Sequence, residues 1–213
     1  MTDQNEPAYG AKGAARRAHI LETASRLFGE HGYAGVSLRD IARAAGVTHP
    51  LLVHYFGGKE DLLRAVTATW MERAQGLGLL DDEHEENRPA QIVRLAEENL
   101  TVPGYLELFT KTVADATSES HPLHEEFVDR YAMVPANLTR TFERLRASGL
   151  LREGVDPEVA ARSVIALEDG AQLQWVYHPD EVDIPRLVRA YLDQILVRPV
   201  DLSPSPDKGP DVG

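Results

Sequence analysis

The residues best suited to binding chemistry in this sequence lie in one short run near the N-terminus. Ala45-Gly46-Val47-Thr48 reads as a tight turn between two short helical segments, a helix-turn-helix, with Gly46 at the sharp bend. Thr48 is suited to cap the second segment, so that its free amides and positive dipole end face outward. Such a helix start is a seat for a DNA phosphate, and the outward side chains of that helix reach base edges in a major groove.

The candidate DNA contacts surround this turn. The predicted phosphate contacts lie at or beside helix starts: Ser37, Arg39, Thr48, Tyr55 and Lys59. The outward first turns of the second segment supply the candidates for base edges, His49 and Leu51, with Pro50 against a thymine methyl. The cationic residues predicted to reach the backbone or the minor groove are Lys12, Arg16 and Arg17. The alternative for His49 and Leu51 is packing against sugar and phosphate.

Charge is distributed unevenly along the chain. The 213 residues carry 22 Lys+Arg and 34 Asp+Glu, a net charge of −12, which argues against a protein that coats nucleic acid. Residues 12–59 nevertheless hold seven bases and three acids, whereas residues 60–213 carry a net −14. A basic block on an acidic body indicates an anionic partner for the N-terminal end.

The elements that must position these residues are all predicted helices. Apolar residues recur at helical spacing from Ala14 to Glu30, and Gly32 is suited to end that helix. Ser37 with Asp40 predicts a capping box, Thr48 a second short helix, and Gly57-Gly58 a break before a helix to about Gln75. Further helices are predicted over 88–101, 104–118, 122–148, 156–178 and 184–197. Pro135 is expected to kink or split its helix.

Composition excludes several classes of site. The chain has no cysteine, which excludes disulfides, thiolate zinc sites and cysteine nucleophiles. His121-x-x-His124 has metal-ligand spacing, but Pro122 favours a helix start there, so neither a metal nor a cofactor is expected. No apolar run is long enough to span a membrane and the first nine residues lack a signal-peptide core, so a cytoplasmic protein is expected.

The N-terminal pattern resembles the TetR family of transcriptional regulators. The matching residues are Arg17, Ile20-Leu21, Ala24, Leu27-Phe28, Gly32-Tyr33, Gly35, Ser37, Ile41-Ala42, Ala44-Ala45-Gly46-Val47-Thr48, Leu52, His54-Tyr55-Phe56 and Lys59-Glu60-Asp61-Leu62. The family usually has Tyr where this chain has Val53, so His54 or Tyr55 is expected to take over its phosphate contact. The resemblance implies a three-helix DNA-binding domain (14–60) and a helical effector-binding and dimerisation domain (61–197). Composition and the lack of periodicity predict a flexible arm (1–13), and composition predicts a disordered tail (198–213).

The resemblance also implies what the acidic body does. A small, partly apolar effector would bind among its middle helices, where the candidate lining residues are Trp70, Tyr105, Phe109, Phe127, Tyr131, Gln172 and Trp175, with His121 or His178 as a further polar contact. The last two helices would pair with a second subunit through Ser163, Leu167, Gly170, Ala171, Gln174, Val188, Tyr191, Leu192 and Ile195. The alternatives are that the aromatic residues form plain core and that the two helices pack within one chain.

The sequence therefore predicts an all-α, homodimeric, ligand-responsive repressor that a small molecule releases from a palindromic double-stranded DNA operator. One alternative is an all-α enzyme. The sequence has no phosphate loop or nucleophile elbow, and adjacent Glu168 and Asp169 point about 100° apart on a helix. The other is a ligand-binding protein whose helix-turn-helix does not bind DNA, which Val53 favours.

Overall fold

The chain is all-α over the residues that its computed structural model describes, 10–77 and 87–203. The helices are α1 (Ala11–Gly35), α2 (Leu38–Ala44), α3 (His49–Phe56), α4 (Lys59–Gly76), α5 (Arg88–Thr101), α6 (Tyr105–Asp115), α7 (His124–Ala147), α8 (Pro157–Tyr177) and α9 (Ile184–Ile195). Within these ranges the only extended pairing is an isolated bridge between Leu151 and Leu196. Residues 1–9 of the predicted arm, residues 78–86 and residues 204–213 of the predicted tail lie outside the described ranges.

Side-chain caps fix several helix starts, as predicted. The Asp156 carboxylate accepts hydrogen bonds from the amides of Glu158 and Val159 at the start of α8. Asp183 does the same for the amide of Arg186 at the start of α9. Because both helices have Pro in the first turn, where no donor is needed, acceptor caps satisfy the amides that remain.

The chain packs as two compact units. Among the described residues, unit 1 comprises 10–72 and 100–127, and unit 2 comprises 73–77, 87–99 and 128–203. In unit 1 the side chains of Ile20, Phe28 and Ile41 are fully buried, together with Leu52 of α3. This core holds α2 and α3 against α1 and leaves the opposite face of α3 exposed.

Two glycines allow α1 and α6 to approach closely within unit 1. A Cβ at Gly29 would lie 2.7 Å from the carbonyl oxygen of Gly104, and a Cβ at Gly104 would lie 2.7 Å from the Cα of Arg26. Gly104 also has a φ of +71°, which L side chains rarely adopt. Lys111 donates hydrogen bonds from its ammonium group to the carbonyls of Gly29 and Glu30.

In unit 2, α8 and α9 pack against each other. Val164 of α8 and both Val188 and Leu192 of α9 are fully buried there. Beyond α9 the chain pairs with the α7–α8 connection, where the amide of Val197 donates to the carbonyl of Leu150 at 2.9 Å. This pairing returns the end of the chain to the core of the same unit.

Two predictions about local order are corrected. The predicted disordered tail is wrong for residues 198–203: Val200 is buried, its amide donates to Asp193 at 2.7 Å, and Arg94 donates to the carbonyls of Leu202 and Ser203. Composition could not reveal these bonds because their partners lie on other elements. Similarly, α1 begins at Ala11, inside the predicted arm.

Pro135 does not split its helix. α7 runs from His124 to Ala147 with Pro135 inside it, and the Thr139 hydroxyl donates to the Pro135 carbonyl at 2.8 Å. Pro135 is buried, so packing holds the helix across a residue that lacks an amide donor.

Candidate nucleic-acid interface

The turn between α2 and α3 is closed by backbone hydrogen bonds. The amide of Val47 donates to the carbonyl of Ala42 at 2.9 Å, and Gly46 takes a φ of +65°. Val47 is half-buried, so it faces the small core while the turn itself remains at the surface. This geometry fixes the start of α3 relative to α2, as the helix-turn-helix prediction requires.

The capping box at α2 is present and occupies the Ser37 side chain. The Asp40 amide donates to the Ser37 hydroxyl oxygen at 3.2 Å, while the Ser37 hydroxyl and amide both donate to the Asp40 carboxylate. These hydrogen bonds from Ser37, with the charge of Arg43 in addition, hold the pKa of Asp40 below its usual value. A phosphate contact from the Ser37 hydroxyl would therefore have to compete with an ionised carboxylate.

The start of α3 offers fewer free amides than the sequence suggested. The Thr48 hydroxyl accepts from the Leu51 amide at 3.3 Å, and Pro50 has no amide to donate. Of the first three residues of α3, only His49 keeps an amide proton without a cap partner. The outward side chains of His49, Pro50 and His54 are exposed, and Leu51 is half-buried.

Cationic side chains lie around this surface in different environments. Lys12, Arg16 and Arg39 are exposed. The Arg17 guanidinium carbon lies 5.5 Å from the Phe56 ring centroid, and the Lys59 ammonium nitrogen lies 4.2 Å from that of Tyr33. Partial burial lowers the pKa of Lys59, while burial, then the charge of Glu60, raises the pKa of Tyr33. The Tyr33 ring therefore contacts the Lys59 ammonium group, an interaction that the sequence reading missed.

This chain departs from the family pattern at Val53, where His54 or Tyr55 is predicted to take over the phosphate contact. Val53 is half-buried, and so is Tyr55, whose ring packs against those of its neighbours His54 and Phe56. His54 is exposed and is thus the more accessible of the two residues predicted to replace the family tyrosine.

The predicted pocket aromatic residues fall into two groups. Trp70, Tyr105, Phe109 and Phe127 form a buried cluster in unit 1, with ring centroids 5.3 Å apart for Trp70 and Tyr105 and 5.4 Å for Trp70 and Phe109. The residues in unit 2 are Tyr131 and Trp175, both half-buried, with buried Gln172 and exposed His178. His121 is in unit 1, where its Nδ1 accepts from the Leu123 amide and its ring packs edge-on to Tyr33.

The predicted interface residues differ in exposure. Ala171, Val188, Leu192 and Ile195 are buried within the chain itself, because α8 and α9 pack on each other. The members that stay at least partly exposed are Ser163, Leu167, Gly170, Gln174 and Tyr191. Sequence reasoning missed the exposed apolar side chains of Leu173 and Tyr177, although Tyr177 extends the spacing of 163, 167, 170 and 174 by three residues. Leu187 of α9 is exposed as well.

The adjacent carboxylates Glu168 and Asp169 of α8 interact with residues of α7, which their positions in the sequence did not predict. The Tyr131 hydroxyl of α7 donates to the Asp169 carboxylate at 2.7 Å. Burial, then the charge of Asp169, raises the pKa of Glu168 to about 7, with Arg130 opposing the shift. Burial also raises the pKa of Asp169, against the hydrogen bond from Tyr131 and the charge of Arg130. The partners lie on another helix, which adjacency alone cannot reveal.

Comparison with known protein families identifies the family of this chain. Residues 20–66 match the family of bacterial regulatory proteins called the tetR family. Residues 89–197, just over half of the chain, match the C-terminal domain of BetI-type transcriptional repressors. The chain belongs to the TetR family. It is a DNA-binding transcriptional regulator, and its α2–turn–α3 unit is the helix-turn-helix of that family.

Two relatives and one solved structure match different lengths of this TetR-family chain. The regulator TtgR of Pseudomonas putida is 28% identical over 192 residues, which cover 83% of this chain and 88% of TtgR. RaaS of Mycobacterium tuberculosis is 54% identical over 48 residues, 22% of each chain. A SmeT–triclosan complex superposes with a TM-score of 0.70 at 26% identity, covering 84% of this chain and 89% of that chain.

None of the helices in the described ranges is long and apolar enough to cross a membrane.

Proposed function

We propose that this TetR-family regulator is a cytoplasmic homodimer that represses transcription from a palindromic double-stranded DNA operator and is released when a small molecule binds its helical body. One observation carries the proposal: a capped, hydrogen-bonded α2–turn–α3 unit whose outer face is exposed at His49, Pro50 and His54. A dimer would place two copies of α3 in successive major grooves, roughly 34–36 Å apart or somewhat more. Residues 14–60 would bind DNA, and residues 61–197 would bind the effector and form the dimer.

We assign different roles to the residues of this surface. Arg39, Thr48, Tyr55 and Lys59 would contact phosphates, with His54 in the place of the tyrosine that relatives usually carry, and Ser37 would contribute if Asp40 releases its hydroxyl. His49, Pro50 and Leu51 would contact base edges, because their side chains lie on the outward first turn of α3. Lys12, Arg16 and Arg17 would reach the flanking backbone or minor groove.

Lys59→Ala is expected to weaken binding about equally at all DNA sequences. Removing one phosphate contact should reduce the slope of log affinity against log salt concentration by about one unit. The measurement is a salt series of gel shifts on two unrelated sequences. Arg162→Ala is the matched control, since Arg162 is exposed on α8 and pairs only with Glu158 there. A salt slope unchanged by Lys59→Ala would remove Lys59 from the phosphate contacts.

The dimer proposal is supported by apolar side chains that the single chain leaves exposed on α8 and α9. Tyr177 is 73% exposed, Leu173 46% and Leu187 39%. Gly170 has open space around its Cβ position, which would let a second helix approach α8 closely. Together with Ser163, Leu167, Gln174 and Tyr191, these residues would form the surface that a second copy covers. Buried Ala171, Val188, Leu192 and Ile195 would support it from beneath.

Introducing charge on this surface is expected to separate the dimer. The double change Leu173→Glu and Tyr177→Glu places two carboxylates where the apolar contact would form, so the solution mass should fall from that of two chains to that of one. Light scattering after gel filtration measures this mass. Val128→Glu, an exposed apolar residue of α7, is the matched control and should remain dimeric. A wild-type protein with the mass of one chain would contradict the homodimer.

The effector is proposed to be small and partly apolar. The triclosan complex of SmeT shows that a similar chain binds an aromatic small molecule. The aromatic candidates that would contribute to binding are Trp70, Tyr105, Phe109, Phe127, Tyr131 and Trp175, with Gln172 as a polar contact. Release from DNA requires that the effector bind the DNA-incompetent state more tightly than the competent one. Binding rather than catalysis would then be the activity of this protein.

The test of the whole proposal has two parts. The wild-type protein should bind DNA with sequence preference, and a small molecule should release it from that DNA. Selection from a random DNA library, followed by gel shifts on the enriched sequence, measures the first part. Binding that shows no sequence preference would instead favour a ligand-binding protein whose helix-turn-helix has lost DNA recognition.

A further inference from the structure

Unit 2 contains a group of acceptor side chains that the DNA-binding surface does not use. Glu168, Asp169 and Gln172 lie within about one turn of α8, with Gln172 three residues after Asp169 and four after Glu168. Residues at these spacings have neighbouring side chains on a helix. The group therefore presents two carboxylates and a side-chain amide in one region of α8.

Gln172 gives this region an unsatisfied acceptor. The residue is only 6% exposed, and its side-chain oxygen has no hydrogen-bond partner among the described residues. A buried amide oxygen without a donor is costly, so such an atom calls for a donor supplied from outside the chain. Its position beside Glu168 and Asp169 means that the missing donor would meet negative charge as well.

The chain's own groups satisfy this region only in part. The Tyr131 hydroxyl donates to one oxygen of Asp169, and the Arg130 charge acts on both carboxylates. Arg130 is the α7 cation whose charge stabilises the ionised forms of both Glu168 and Asp169. The two carboxylates therefore share one guanidinium charge. Glu168 is enclosed deeply enough that burial is the main cause of its raised pKa, yet its residue retains some accessible surface. Glu168 therefore lies in a largely enclosed environment without being fully removed from solvent.

We propose that Glu168, Asp169 and Gln172 bind the charged nitrogen of a small organic cation that carries N–H donors, a protonated amine. The carboxylates supply the opposite charge, and the Gln172 oxygen accepts an N–H hydrogen bond that a quaternary ammonium could not donate. The inference rests on the proposed function in one respect, since it takes this molecule to be the effector or its polar end. A neutral or anionic molecule of the same shape would leave the pair without its counter-charge.

The test compares three probes of similar shape and different charge: 2-phenylethylammonium, 2-phenylethanol and phenylacetate. Calorimetric titration of the full chain without DNA, at about pH 8 where Glu168 is largely ionised, measures each affinity. The ammonium probe is expected to bind at least about tenfold more tightly than the alcohol, and phenylacetate no more tightly than the alcohol. The double change Glu168→Gln and Asp169→Asn should abolish this preference. Glu143→Gln, at an exposed carboxylate of α7, should keep it.

A second variant separates binding from folding. Gln172→Met keeps the volume and the carboxylates but removes the acceptor, so the ammonium affinity should fall several-fold while the alcohol affinity stays the same. Circular dichroism checks that each variant is folded. Equal affinities for the three probes, no binding of any of them, or a preference that persists in the double variant would overturn the inference.

Failure of the cation-site inference can be distinguished from failure of the proposed repressor function. Gel shifts on DNA without any probe test operator binding independently, so a protein that binds its operator but shows no cation preference would contradict only this inference. A protein that prefers the ammonium probe but shows no sequence-specific DNA binding would contradict the repressor and leave the cation site standing.

Discussion

Gly104→Ala is expected to lower the free energy of unfolding by about 3 kcal/mol or more. The added Cβ would lie 2.7 Å from the Cα of Arg26, a backbone atom that cannot rotate away. The substitution would also place a side chain at a φ of +71°, which costs about 1 kcal/mol for an L residue. Both effects act at the α1–α6 crossing, so α6 must shift or the crossing must open. Chemical denaturation followed by circular dichroism measures the loss.

Gly149→Ala is the matched control for this prediction. Gly149 has the same φ of +71°, but nothing lies within 4 Å of its Cβ position. The free energy of unfolding of Gly149→Ala should therefore fall by about 1 kcal/mol, the cost of the backbone strain alone. The excess at Gly104 measures the cost of separating α1 from α6. Equal losses at the two glycines would mean that the helices do not approach as closely as described.

Glu168→Gln is expected to stabilise the protein more at high pH than at low pH. In the folded chain the pKa of Glu168 is raised from 4.5 to about 7, mainly by burial. The neutral acid is therefore favoured by folding, and this stability is fully present below about pH 4.5 and lost as pH rises through about 7. Glutamine has no such loss. The gain from the substitution should thus grow by on the order of 2 kcal/mol between about pH 5.5 and pH 8.

Unfolding at a series of pH values, for the wild type and the variant, measures this difference. Glu143→Gln serves as the exposed control, and its effect should vary little with pH. A Glu168→Gln gain that is the same at every pH would mean that Glu168 is not enclosed as described. The same result would also remove one support for the cation site on α8.

Short-range features of this fold were predictable because their causes lie within a few residues. The Ser37–Asp40 capping box, the Thr48 cap and the bend at Gly46 each join atoms no more than about one helical turn apart. Their residue types are sufficient to specify the local geometry. For the same reason the α2–turn–α3 unit and its exposed residues could be placed from sequence.

Long-range contacts were not predictable, because the sequence around one residue does not indicate which distant residue it contacts. Nothing around Tyr131 indicates that its hydroxyl bonds Asp169, 38 residues later. Val188 and Leu192 have the pattern of an exposed apolar stripe, which fits a subunit interface as well as it fits the α8 surface that buries them here. The close approach of Gly29 to Gly104 likewise depends on a crossing that helical periodicity does not specify.

The central claim is that the exposed turn of α3 recognises DNA sequence, and selection from a random double-stranded library tests it most directly. The wild-type protein is expected to enrich an inverted repeat, with half-sites roughly 34–36 Å apart or somewhat more. His49→Ala is expected to relax or change the bases enriched in each half-site, whereas Arg162→Ala should leave them unchanged. Enrichment of no sequence by the wild type, or an identical motif with uniformly weaker binding for His49→Ala, would contradict this account of α3.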